Sequence, residues 1–265
     1  MNTSHPLRRL WAENRCAIGA WCLSPDPVAA EVLARAGFDW ICIDLQHGWL
    51  GIEEMIPVVH SIATAGSVPI VRVPANELWL IGRALDAGAY GVLVPLVNSA
   101  DEAERAVRAC RYPKAGSRSV GAFRRAPSIA SDAAHANSEV LCIVMIESAS
   151  ALEDIDSICA LPGVDAVYIG PGDLALSLGL SHRQEHDLNT FRAISEAAHR
   201  HKKAAGMHGE TGEEAGWAIE NGFDLTTAGA DVDFMYGAAC AALATASAST
   251  AKQTSPSESI PQVPL

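Results

Sequence analysis

The chain has 265 residues, 49% of them hydrophobic, and 31 acidic residues against 19 basic ones give it a net charge of −12. So acidic a surface repels phosphate backbones, which sets nucleic acid aside as a partner. No apolar run reaches the ~20 residues a membrane span needs, and MNTSHPLRRLWAENR lacks the apolar stretch of a signal peptide, so a cytoplasmic protein is expected.

Short apolar runs alternate with longer amphipathic stretches. CAIGAWC (16–22) opens as a strand, and PVAAEVLARAG (27–37) follows as a helix closed by Gly37. WICIDLQ (40–46) and VPIVRVP (68–74) are the next strands, with Gly66 closing the helix between them. ELWLIGRALDAG (77–88), ending in Gly88, leads into GVLVPLV (91–97), and SADEAERAVRAC (99–110) is again helical. Residues 112–136 are irregular, and a loop of that length is expected to serve the catalytic face. The remaining strands are VLCIVMIES (140–148), AVYIGP (166–171), AAGMHG (204–209) and DLTTAGA (224–230), with Gly222 closing the last intervening helix.

Each run is apolar on both faces, as parallel strands covered by helices are. Eight of them with intervening helices predict a (β/α)8 TIM barrel, whose usual size is ~250 residues. An open doubly wound sheet is the alternative, but no G-x-G-x-x-G follows the first strand. No Pro/Gly/Ser-rich linker divides the chain. Residues 1–247 are read as one barrel domain, and 248–265, rich in Ser, Thr, Ala and Pro, as a disordered tail. The seven cysteines form no C-x-x-C pair, and Cys42 and Cys142 sit in apolar runs, which suits a reducing compartment.

In such a barrel the chemistry lies at the C-terminal ends of the strands. Glu147 and Asp173 follow consecutive strands, close enough to converge on one cation. Hard oxygen ligands with no nearby Cys favour Mg²⁺ or Mn²⁺ over Co²⁺ or Zn²⁺. Each acid alone could equally be a helix-terminus residue. Arg72, inside VPIVRVP, needs an anion: either a structural partner, Asp44 or Asp86, or a substrate carboxylate or oxo group. His47 is a general acid/base candidate, with Asp44 or Asp86 to orient its ring. The G-P-G-D turn around Gly172 lets backbone N–H groups approach a ligand. None of the four lysines falls in a strand, so a Schiff-base route has no amine in the barrel interior.

The runs GFDWICIDLQHG, VRVP, RALDAGAYGVLVPLVNSADEAERAVRACRYPKAGSRSVG, VMIES and GVDAVYIGPGDLALSLG resemble the HpcH/HpaI aldolase family, over roughly residues 15–245. The resemblance implies a metal-dependent pyruvate aldolase of the 4-hydroxy-2-oxoheptanedioate type, of use in aromatic compound catabolism, assembled as a homohexamer, a trimer of dimers. It assigns the metal to Glu147 and Asp173 and substrate binding to Arg72 and the Gly172 backbone. Catalysis falls to His47, with Asp86 as ring partner. The sequence departs from the family pattern at Lys114 and Met145. A related lyase acting on a CoA thioester or a phosphoenolpyruvate-type substrate remains open, with Arg118, Arg124 and Arg125 as its phosphate strip. So does a non-catalytic barrel that captures oxo acids.

Overall fold

The computed structural model describes residues 5–121, 133–180 and 188–253, with side chains to residue 248. Eight parallel strands close into a barrel in chain order: β1 (Ala17–Cys22), β2 (Trp40–Asp44), β3 (Val68–Arg72), β4 (Gly91–Val94), β5 (Leu141–Ile146), β6 (Ala166–Ile169), β7 (Ala204–Met207) and β8 (Leu225–Ala230). Every strand lies within a run predicted from the sequence. The helices are α1 (Pro6–Ala12), α2 (Pro27–Arg35), α3 (Ile52–Ala65), α4 (Leu78–Asp86), α5 (Ala100–Cys110), α6 (Ala133–Ser138), α7 (Ala149–Glu153), α8 (Ile155–Ala160), α9 (Pro171–Ser177), α10 (Leu188–Arg200), α11 (Gly212–Glu220) and α12 (Asp231–Gln253). Gly37, Gly66, Gly88 and Gly222 all have left-handed φ, between 80° and 104°, as helix stops require.

The strands' two-residue period sorts their side chains into two cores. Ile41, Ile43, Val71, Val92, Val94, Val144, Ile146 and Val167 pack outward against the helices. Residues of opposite parity fill the barrel, chiefly Trp21, Trp40, Ile70, Met145 and Tyr168. The Trp40 indole has room because its register partner on β1 is Gly19, where a Cβ would lie 2.4 Å from the ring. The same inward parity carries Asp44, Arg72 and Glu147 to the barrel's C-terminal mouth.

Parallel strands all start at one rim, so each helix must return the chain to that N-terminal rim. This corrects two expectations. Residues 112–136 connect the end of α5 to the start of β5, so both ends of that segment stand at the N-terminal rim, away from the catalytic face. Asp86, in the last turn of α4, stands there too.

The chain divides into two compact units, Met1–Asp231 and Val232–Leu265. The first holds the barrel. Helix α12 runs through to Gln253, past the point where the tail was expected to begin, as its alanine content favours. Residues 254–265 lie outside the described residues. Among the described residues no helix is long and apolar enough to cross a membrane.

Candidate active site

Asp44 and Arg72 end neighbouring strands in direct register. Their side chains form a two-pronged pair, Nε to Oδ1 at 2.8 Å and Nη2 to Oδ2 at 2.6 Å. The Asp44 side chain is 1% exposed and that of Arg72 12%. The Arg72 guanidinium also lies 4.4 Å from the centre of the Trp21 ring. Trp21 is pinned in turn by Thr227, 3.1 Å from its indole N–H, and Thr227 pairs with the Tyr168 hydroxyl at 3.2 Å. The His208 ring meets that of Trp21 edge-on, with centroids 5.2 Å apart. Arg72 thus has two N–H groups fixed by Asp44 and one face fixed by an aromatic ring. No bond to its second terminal nitrogen is seen among the described residues.

Asp44 also builds the turn that carries His47. Its Oδ1 accepts from the Gln46 N–H at 3.0 Å and the His47 N–H at 3.2 Å. The His47 side chain is exposed at the mouth. Of the two carboxylates considered as its orienting partner, Asp44 is therefore beside it. Asp86 is not: at the opposite rim it holds the Arg118 guanidinium at 2.8 Å.

Glu147 follows β5 directly and is buried. Its Oε2 accepts from the Leu96 N–H at 2.8 Å. Leu96, in the loop after β4, adopts left-handed backbone (φ 55°) while making this contact. On the other side, a Cβ at Gly170 would lie 2.6 Å from Glu147 Oε1, so only glycine lets the turn after β6 come so close. Burial holds the Glu147 carboxyl above its ordinary pKa, and the Asp173 charge pushes the same way. The Leu96 N–H and the Arg72 guanidinium oppose both.

Asp173 is exposed in the first turn of α9. A Cβ on the adjoining Gly172 would meet nothing within 4 Å, so that turn borders open space. Among the described residues no three His, Cys, Asp or Glu side chains gather around one point. The candidate donors are therefore only the two carboxylates, Glu147 buried and feeling the like charge of Asp173. They fit a hard divalent ion whose other ligands are water or substrate oxygens.

Several participants were not anticipated. Trp21, Thr227 and Tyr168 read as core residues, and their parity on β1, β8 and β6 was the available signal. The Leu96 N–H is a backbone donor and leaves no signal. Of the proposed phosphate strip, the Arg118 side chain is 2% exposed and paired with Asp86. Arg124 and Arg125 lie outside the described residues.

The sequence pattern of the HpcH/HpaI aldolase/citrate lyase family matches residues 17–232. The chain is 36% identical over 226 residues to the 5-keto-4-deoxy-D-glucarate aldolase of Escherichia coli O157:H7 (strain EC4115 / EHEC), covering 83% of this chain and 88% of that one. It is 37% identical over 225 residues to the 2-dehydro-3,6-dideoxy-6-sulfogluconate aldolase of Pseudomonas putida, covering 82% and 88%. The crystal structure of a family protein from Burkholderia cenocepacia J2315 superposes with a TM-score of 0.84 at 35% identity, over 91% of this chain and 98% of that one. These relatives support a carbon–carbon lyase, and the chain belongs to the HpcH/HpaI aldolase/citrate lyase family.

Proposed function

We propose that the protein is a metal-dependent aldolase that cleaves 4-hydroxy-2-oxo acids reversibly to pyruvate and an aldehyde. The observation that carries this reading is the buried Glu147 beside Asp173, with Arg72 fixed on the same mouth. Two curated relatives named as aldolases of keto-deoxy sugar acids support the substrate class. 4-Hydroxy-2-oxoheptanedioate, expected from the family resemblance, belongs to the same chemical class.

Glu147 and Asp173 would hold the ion, Mg²⁺ or Mn²⁺ before Co²⁺ or Zn²⁺. Bound there, a divalent cation supplies Lewis-acid pull on the substrate's 2-oxo oxygen. Arg72 keeps one terminal nitrogen for that oxygen, where negative charge grows as the C3–C4 bond breaks. Its pairing with Asp44 and stacking on Trp21 fix the guanidinium before substrate arrives, so little reorganisation remains. His47 takes the C4 hydroxyl proton as the C4 carbonyl forms. The bond's electrons pass to C3 and the oxo group, and protonation at C3 completes pyruvate. The Gly172 N–H borders the space for the substrate carboxylate. We further propose that the enzyme works in the cytoplasm as a homo-oligomer, a hexamer built as a trimer of dimers.

The test is a panel of 4-hydroxy-2-oxo acids, incubated with each of the four metals and assayed for pyruvate. Metal-dependent release from at least one member is expected. Borohydride with pyruvate should fix no adduct, because no strand carries a lysine. Release that ignores metal, or a trapped lysine adduct, would overturn the reading.

A further inference from the structure

A cavity of about 850 Å³ opens at the N-terminal rim, where α1 crosses the starts of β6, β7 and β8. It is on the opposite side of the barrel from Glu147 and Asp173. Five basic side chains line it, Arg8, Arg111, His199, Lys202 and Lys203, against two carboxylates, Asp165 and Asp224. With His199 counted as neutral the wall carries two net positive charges, on a chain whose net charge is −12 by the same count.

Some of these groups close the barrel. Asp165 accepts from Arg8 at 2.7 Å, from Arg111 at 3.1 Å and from the Cys142 N–H at 2.8 Å. Asp224 is taken by His199 at 2.7 Å and the Ala205 N–H at 2.8 Å. Lys203 Nζ reaches the Leu161 and Val164 carbonyls. A purely structural rim would need no more donors than its acceptors can use. Here Asp165 is already shared by two guanidinium groups. The Arg111 side chain is only 9% exposed, yet its Nη1 is buried with no acceptor among the described residues. Buried guanidinium nitrogens are rarely left so.

We propose that this cavity is a binding site for a small organic dianion, recognised through its carboxylate or phosphate oxygens and separate from the catalytic mouth. Two negative charges balance the wall. Arginine forks suit planar or tetrahedral oxyanions, and the volume admits a small metabolite rather than a bare ion.

The experiment titrates the full-length protein with succinate, a dicarboxylate, and with glycerol 3-phosphate, a phosphomonoester. Binding is read by calorimetry and by melting temperature, with ionic strength held constant by sodium chloride. At least one probe should bind saturably, one per chain, and raise the melting temperature; the tighter one identifies the oxyanion. Lys202→Glu, at an exposed position, should weaken binding tenfold or more without unfolding the barrel, and Arg8→Gln should weaken it as well. Glu147→Gln should bind the probe as the wild type does, and pyruvate should not compete. Three results would each overturn the proposal: no saturable binding of either probe, affinity unchanged in Lys202→Glu, or binding lost in Glu147→Gln or displaced by pyruvate. The last would put the anion at the catalytic mouth.

Discussion

The two rims of the barrel use the same ingredients, buried Arg–Asp pairs, to different ends. At the N-terminal rim, Asp165 serves two arginines and a strand N–H, and Asp86 holds the buried Arg118. The wall of the cavity there carries excess positive charge. At the C-terminal mouth, Asp44, Glu147, Asp173 and Asp231 stand against Arg72, and among the described residues Glu147 has no ion-pair partner. Where opposite charges saturate one another they hold strands together. Where a buried carboxylate is left beside a second one, the fold keeps an unfavourable arrangement that a cation would relieve. The comparison predicts that substitutions at the mouth cost turnover and those at the opposite rim cost stability.

The largest effect is expected at Arg72. Arg72→Lys should lower kcat/KM by on the order of 10²–10³, since a point charge cannot both hold Asp44 at two positions and meet the oxo oxygen. Its melting temperature should change far less. Near-wild-type kcat/KM in this variant would remove Arg72 from the mechanism. Next is Asp86→Asn, which leaves the buried Arg118 without its anion. It should cost about 3 kcal/mol, the low end for a broken buried pair because Asp86 is partly exposed. That corresponds to a melting temperature lower by roughly 6–12 °C, with kcat per folded molecule unchanged. If activity fell and stability did not, Asp86 would be the ring partner that the resemblance implied.

The smallest effect is a stabilisation. A carboxyl with a raised folded pKa binds its proton more tightly in the folded state. The stability this gives is present at low pH and is lost as the pH rises from 4.5, the ordinary value, through the raised folded value. Above the raised folded value the metal-free wild type bears that cost in full. Metal-free Glu147→Gln should therefore melt a few degrees higher than wild type at pH 7, with the gap closing under acid conditions. Melting curves that coincide at every pH would show that the Glu147 charge is not penalised.

The barrel was legible because its strands are apolar on both faces and its helices stop at glycine, two signals that burial and left-handed backbone impose locally. At the mouth, Asp44, Arg72, Glu147 and Asp173 were visible as charged residues at the ends of apolar runs. Their partners were less so. Asp44 and Asp86 looked equivalent in sequence, yet a strand end and a helix end lie on opposite rims. Following the chain's direction would have separated them and moved residues 112–136 off the catalytic face. The support of Trp21 by Thr227 depends on how strands stagger around the closure, which no local pattern records. The contact from Leu96 is made by a backbone N–H, and side-chain identity is silent about that.

The central claim is that Glu147 and Asp173 hold a catalytic divalent ion. The direct measurement is turnover of EDTA-treated protein titrated with Mn²⁺, in wild type and in Glu147→Gln, on a 4-hydroxy-2-oxo acid that the wild type cleaves. The account predicts no cleavage without metal and saturable recovery in wild type. It predicts that Glu147→Gln needs at least about tenfold more Mn²⁺ for half recovery, because one of two anionic ligands is gone. Full turnover by the metal-free wild type, or identical Mn²⁺ curves for the two proteins, would contradict it.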